Sequence, residues 1–445
     1  MEREERHATG GTTSRRRLLE TIAAGSAAGL GGLAGCISDG SGGTPTPDSA
    51  PTFLLSTVQS GPYSRLGDKE LNGFELAVKH INEGGGLVEA GAFEELTGDG
   101  LLGYEVETTT VDNEGSGETA RSNVLPHVTE NEVTMICGGA RASTARAHRD
   151  IAIEHEVPFM AGTCLLDALS GEECAATMYR EMYSSRALVR ALGPTLATRV
   201  GERATYVQLY ADSPEGKDLR NAVDRYFADS GTPRWEPRGN EAIQPGSTGY
   251  EDDLAQITRG RPDALFLNLF GIDAINALTA AQDAVPEETQ VVVPFIDDSL
   301  GYVVGSEVAD ILGTMPWEAG LDGEYAKAYD SAYVSNYGTI AGGDAATGSG
   351  TAHVTYTQTL QFAAAAARAE SFDPGAIQSA LEGYEYDAGG GDQRLQACNH
   401  QASRAVPVVR GRSSQDSGGN YFELLDHRDG VVPTCEEEPA TSCSL

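Results

Sequence analysis

The chain has 445 residues, and 31 Lys and Arg against 66 Asp and Glu leave a net charge of −35. That length allows two or three folded units with ample core, whereas the charge excludes a nucleic-acid binder that works by phosphate neutralisation. Hydrophobic residues make up 40% of the chain, which is low, yet the sequence is too complex and too periodic for a disordered polymer, and no apolar run reaches the roughly 18 residues of a membrane-spanning helix.

The first segment reads as an address. Ser14-Arg15-Arg16-Arg17-Leu18-Leu19 precedes a weakly apolar Ala/Gly stretch, Thr21 to Gly32, and then Leu33-Ala34-Gly35-Cys36. The first pattern looks like a twin-arginine export signal, and the second like a lipobox in which Cys36 is lipidated and becomes the mature N-terminus. Ile37 to Pro51 is rich in Ser, Gly, Thr, Pro and Asp, as a flexible tether would be. The expected location is the extracellular face of the cytoplasmic membrane. Only four basic residues are Lys (Lys69, Lys79, Lys217, Lys327) and 27 are Arg. An acid-rich, Lys-poor chain suits concentrated salt, where a Debye length of about 3 Å at 1 M removes self-repulsion, so the fold is expected to loosen when salt is withdrawn.

Past the tether, strands and helices alternate. Phe53–Val58 reads as a strand, Leu71–Asn82 as a helix stopped by Gly84-Gly85-Gly86, Tyr104–Val111 as a strand and Glu118–Asn131 as a helix. Val133–Ile136 and Val157–Met160 read as strands around the helix Ala142–His155. After Cys174 the order repeats: helix Ser185–Val200, strand Ala204–Leu209, helices Glu215–Ser230 and Tyr250–Arg259, strand Ala264–Leu269, helix Ala274–Ala284, strand Gln290–Phe295. Two such runs predict an α/β fold of two lobes with parallel sheets, their ligand beyond the carboxyl ends of the strands.

Six cysteines follow Cys36. Export permits disulfides, and Cys164 with Cys174 across a short loop is the expected pair, with Cys398 bonded to Cys435 or Cys443. Cys137, in an apolar run, reads as a buried free thiol. There is no C-x-x-C, G-x-S-x-G, H-E-x-x-H or P-loop, so neither a metal, a cofactor nor an enzyme is expected. His148 and His155 share a helix face and read as surface residues.

Several segments carry a family likeness. They are Gly61-Pro62-Tyr63-Ser64-Arg65-Leu66-Gly67-Asp68, the stretch from Gly73 through Ala77-Val78, Ile81-Asn82 to Gly84-Gly85, Gly138-Gly139-Ala140-Arg141-Ala142-Ser143, Val157 to Thr163, Arg261-Pro262-Asp263-Ala264 and Asn399-His400-Gln401. Together they resemble solute-binding proteins of the branched-chain amino acid (Leu/Ile/Val) type that serve ATP-driven importers, over roughly residues 52–410. The resemblance implies two Rossmann-like lobes of the type I periplasmic-binding-protein kind, joined by three crossovers around a cleft. With residues 1–36 read as signal and lipobox and 37–51 as linker, the expected division is 52–183 plus 322–398 as lobe 1, 184–321 plus 399–435 as lobe 2, and 436–445 as a tail. His400 falls in lobe 2 on this division.

The same resemblance implies a monomer that takes a small amino-acid-like solute and hands it to ABC permease and ATPase subunits, held to the membrane through Cys36 and binding no nucleic acid. Ser143 or Thr144, together with Thr163, would hold a carboxylate, and Asp297 or Asp298 an ammonium. Each also reads as a helix cap or solvated turn. Tyr63 and Phe270 line the cleft or pack in the core, and Arg141 meets a ligand anion or a surface carboxylate. Leu66 stands where the family has an aromatic residue, Glu215 where it has a tyrosine, and Leu165 where a threonine would help hold the carboxylate. These departures point away from Leu, Ile or Val; related proteins take amides, urea or aromatic acids. The alternatives are a sensing subunit of the same fold and, less favoured, an extracellular hydrolase.

Overall fold

The computed structural model describes residues 49–130, 133–229, 233–338, 347–415 and 419–445. The export signal, the lipobox with Cys36 and most of the tether lie outside them. Among the described residues no helix is long and apolar enough to cross a membrane.

Lobe 1 is built from β1 (Thr52–Thr57), α1 (Ser64–Glu83), α2 (Gly86–Glu89), β2 (Glu107–Asp112), α3 (Gly117–Glu130), β3 (Val133–Gly138), α4 (Ala142–His155), β4 (Phe159–Ala161) and β5 (Met178–Arg180). The five strands form a parallel sheet in the order β2-β1-β3-β4-β5. Lobe 2 continues with α5 (Ser185–Val200), β6 (Thr205–Ala211), α6 (Pro214–Asp224), β7 (Glu236–Ile243), α7 (Glu251–Ile257), β8 (Ala264–Asn268), α8 (Ile272–Ala284), β9 (Gln290–Phe295), α9 (Ser299–Val304) and β10 (Leu312–Thr314). The chain then returns to lobe 1 through α10 (Glu324–Tyr337), α11 (Gly350–Ala369), α12 (Pro374–Leu381) and the small sheet β11 (Glu385–Asp387), β12 (Asp392–Leu395), β13 (Ala402–Ser403). It ends with β14 (Val406–Gly411) and β15 (Phe422–Arg428), which close the second sheet in the order β15-β14-β10-β9-β8-β6-β7.

The two sheets are thus linked three times, after β5, after β10 and after β13. Each lobe follows the doubly wound rule, because helix-linked parallel strands must be covered on both faces. Helix α1 begins seven residues earlier than its apolar spacing predicts. Its buried face runs through Gly67, Glu70, Phe74, Ala77 and Ile81, and the polar Glu70 and small Gly67 hide the first two turns of that stripe. Gly73 sits so close to α11 that a Cβ there would fall 2.1 Å from the Ala352 carbonyl oxygen, so this contact requires glycine.

Three expectations are corrected. Cys174 bonds to Cys443, not to Cys164. Cys164 is a buried free thiol whose carbonyl is held at 2.6 Å by the buried Arg180 Nη2, while Cys174 follows the turn 167–170 and meets the C-terminal tail. Cys398 bonds to Cys435, and Cys137 is free and buried, its thiol pushed up to about 12 by burial. His148 is fully buried, with Nε2 2.9 Å from the Ser56 hydroxyl. Residues 399–403 side with lobe 1: β13 pairs with β12, and His400 stacks on Tyr179 with centroids 4.6 Å apart and reaches the Met178 carbonyl. The third crossing therefore lies after Ser403.

Candidate functional site

In each sheet the chain reverses its direction of growth between two neighbouring strands, β1 and β3 in lobe 1, β6 and β8 in lobe 2. Loops leaving the carboxyl ends of such strands part to opposite faces and open a crevice. Here the two crevices face each other. The cleft is lined from lobe 1 by Tyr63 and Leu66 after β1, Ala140 and Arg141 after β3, and Thr163 and Leu165 after β4. From lobe 2 it is lined by Ala211 at the end of β6 with Ser213 and Glu215 beyond it, by Phe270 and Gly271 after β8, and by Phe295 at the end of β9 with Asp297 beyond it.

Direct bonds cross this cleft. The Tyr63 hydroxyl donates to Asp273 Oδ2 at 2.7 Å, and burial together with that carboxylate pushes the phenol up to about 12. The backbone N–H of Ala142, at the first turn of α4, donates to Glu215 Oε1 at 2.6 Å. Arg141 lies 4.4 Å over the Tyr63 ring and 3.8 Å from Glu215. Lys69 reaches Asp298 at 3.6 Å. The lobes are closed on one another.

Local sequence explains each placement. Gly138, at φ 113°, lets the chain leave β3 against the Ser56 carbonyl, where a Cβ would sit 2.2 Å away. That turn delivers Arg141 as the cap of α4. Ser213 accepts from Gly216 N and Pro214 opens α6, so Glu215 projects from a first helical turn that favours an acid.

The structure separates the candidate side chains. Tyr63, Leu66, Thr163, Glu215, Phe270 and Asp297 line the cleft; Ser143, Thr144 and Asp298 do not. The Ser143 hydroxyl donates to the Gly115 carbonyl, and Thr144 Oγ1 at N3 of α4 accepts from the Arg141 N–H, the place a Glu or Gln takes in a capping box, and donates to the Arg141 carbonyl. Asp298 takes the Ser349 hydroxyl at 2.8 Å and the Lys69 ion pair, turning away from the cleft. Asp297 keeps Oδ1 on the Ser299 N–H at 2.7 Å, and burial, then the Asp298 charge, raise its carboxyl pKa. Thr163 is at the cleft, but its N–H and hydroxyl both donate to Glu70 Oε1 at 3.1 Å. Glu70 was not singled out in the sequence, nor was the cleft residue Phe295; an acid at a core position of α1 was the available signal for the former. Among the described residues no group of His, Cys, Asp and Glu could hold a metal ion.

Comparison with known proteins agrees with this geometry. The family model described as periplasmic binding protein matches residues 54–419. The chain belongs to the periplasmic binding protein family. Solved family structures that superpose on this one include an amino acid ABC transporter substrate-binding protein from Pseudomonas fluorescens, 20% identical with a TM-score of 0.77, covering 89% of this chain and 99% of that one. A solute-binding protein of an ABC transporter from R. palustris, in complex with benzoate, is 16% identical at 0.72 and covers 89% of this chain and 100% of its own. A leucine-binding protein from Thermotoga maritima is 16% identical at 0.70, covering 86% and 99%. Among curated proteins none matches the chain significantly.

Proposed function

We propose that this periplasmic binding protein is a lipid-anchored extracellular receptor that captures a small polar solute by lobe closure and presents it to the permease and ATPase subunits of an ABC importer. The observation that carries the reading is the cleft itself. Polar and aromatic groups from the carboxyl ends of strands in both lobes converge there, bridged by Tyr63–Asp273 and Ala142–Glu215, so closing the lobes buries whatever lies between them. The superposing structures, an amino acid ABC transporter substrate-binding protein, a solute-binding protein in complex with benzoate and a leucine-binding protein, support a small organic solute. The reading includes export by the twin-arginine route, anchoring through Cys36, action as a monomer and a working environment of high salt.

The test is thermal unfolding in multi-molar KCl against amino acids, amides, urea, amines and short carboxylates. A ligand at a hundred times its dissociation constant stabilises by about 2.7 kcal/mol, a shift of about 3 °C for a chain of this size. A shift with one chemical class is expected. No shift with any solute in a folded sample overturns the receptor reading. Replacing Cys36→Ser is expected to move the exported protein from the membrane to the soluble fraction; unchanged membrane retention overturns the lipid anchor alone.

A further inference from the structure

Resting on the receptor reading, we infer that the cleft selects an organic monocation, a primary amine or amidine on a small apolar body, against molecules that carry a free carboxylate. The groups that would receive a carboxylate are already occupied by the protein's own acids and carbonyls. The Ala142 N–H at the start of α4, a natural anion site, is taken by Glu215 Oε1 from the opposite lobe at 2.6 Å. The Thr163 N–H and hydroxyl are spent on Glu70, the Ser143 hydroxyl on the Gly115 carbonyl and the Thr144 hydroxyl on the Arg141 carbonyl.

Apart from the Ser213 hydroxyl and Arg141, the polar side chains left to a ligand in the cleft are carboxylates, which accept rather than donate. Glu215 is 7% exposed, and its second oxygen, Oε2, is buried with no hydrogen-bond partner. A buried carboxylate oxygen without a donor carries the full cost of its lost hydration, and an N–H of a bound ligand removes that cost. Asp297, 8% exposed, adds a second carboxylate to the same wall. The cleft's one cation among the described lining residues, Arg141, is held between Glu215 and the Tyr63 ring. Arg141 balances one of the two acids and leaves one negative charge for a ligand to match. Leu66, Leu165, Phe270 and Phe295 supply the apolar surface, and the aromatic rings favour a nearby cation further.

The experiment compares size-matched triples on the full mature protein in fixed salt at pH 7.5, by calorimetric titration: butylamine, norvaline and pentanoate; phenethylamine, phenylalanine and 3-phenylpropionate. The amine of at least one triple is expected to bind about tenfold or more tighter than its zwitterionic and anionic partners, the scale of one charge-assisted hydrogen bond. Glu215→Gln keeps an acceptor for Ala142 N–H but removes the charge, and is expected to weaken amine binding about tenfold, whereas Ser143→Ala, outside the cleft, leaves it unchanged. Preference for the zwitterion or the acid, through Arg141, overturns the monocation inference and leaves the receptor reading standing. So does binding of other solutes with no response to either amine. No binding by any solute, including the wider panel above, overturns both.

Discussion

Arg404→Met is expected to destabilise the protein by about 3–5 kcal/mol, the scale for removing one partner of a buried ion pair and stranding the other. Arg404 lies on the third crossing, 2% exposed. Its Nη1 holds Glu181 Oε1, on the first crossing, at 2.7 Å, and its Nη2 donates to the carbonyl of Pro316, on the second. One guanidinium therefore ties together the three strands of chain that join the lobes. Glu181 is fully buried and also takes the Gln361 amide at 2.8 Å and the Tyr386 hydroxyl, whose pKa burial and this carboxylate raise far above the ordinary tyrosine range. The Tyr183 hydroxyl donates to Thr314 Oγ1 at 3.1 Å and the Gln401 amide to the Met182 carbonyl at 3.0 Å, so the crossings are cross-linked at neighbouring points as well. With Arg404 gone, the Glu181 charge keeps two neutral donors and loses its cation. Urea unfolding in constant salt measures the loss. The double variant Arg404→Met with Glu181→Leu is expected to regain part of it, because no unpaired charge is then left in the core. A single-variant loss under about 1 kcal/mol would show that the pair does not hold the crossings.

The alternation of strands and helices in both lobes was legible because parallel strands covered on both faces read as short apolar runs, and Phe53–Thr57, Ala264–Asn268 and Gln290–Phe295 do so plainly. Other elements lack that signature. The edge strand β7 is Glu-Pro-Arg-Gly-Asn-Glu-Ala-Ile, polar and almost wholly exposed, as edge strands are when they must not recruit another chain. Helix α11 is buried on every side from Gly350 to Ala366 yet carries His353, Thr355, Thr357, Gln358, Thr359 and Gln361, so it has neither an apolar stripe nor a uniformly apolar surface. The Gln358 and Gln361 amides donate to the Met160 carbonyl and to Glu181, and such partners are far away in the chain. The candidate site divides in the same way. The family resemblance pointed to Thr163 and to Asp297 or Asp298, and it left Tyr63 and Phe270 open between cleft and core. Which neighbour faces the cleft, Asp297 or Asp298, depends on Lys69 and Ser349 drawing Asp298 away. That Cys174 meets Cys443 rather than Cys164 depends equally on where the tail returns, which local spacing does not encode.

The residue that shapes lobe 1's side of the cleft is Glu70, and its replacement distinguishes shape from charge. Its Oε2 accepts the Thr57 hydroxyl at 2.7 Å and its Oε1 accepts both Thr163 donors, while Gly162 lies so close that a Cβ there would come within 2.3 Å of Oε1. The carboxyl is fully buried and has no cation partner, so burial raises its pKa against the lowering effect of these three bonds. Glu70→Leu removes every acceptor and leaves a backbone N–H and two hydroxyls unsatisfied; at 1–3 kcal/mol for each orphaned group, partly recovered by hydroxyl rotation, the expected loss is about 4 kcal/mol. Glu70→Gln retains one oxygen for Thr163 and presents an amide to the Thr57 hydroxyl, which can turn to accept it, so the cost is about 1 kcal/mol or less. The pH dependence has a definite sign. A carboxyl raised in the folded state binds its proton more tightly there than in the unfolded chain, so wild-type stability carries a penalty above the folded pKa that is relieved as pH falls through it. Relative to wild type, Glu70→Gln therefore gains most at pH 8 and loses that gain at pH 4, while Glu70→Leu remains the less stable variant at both. Urea unfolding of the three proteins at the two pH values separates the contributions. If the Leu and Gln variants unfold alike, the network around Thr163 is held by packing, and the loop after β4 owes its place at the cleft to something other than this buried acid.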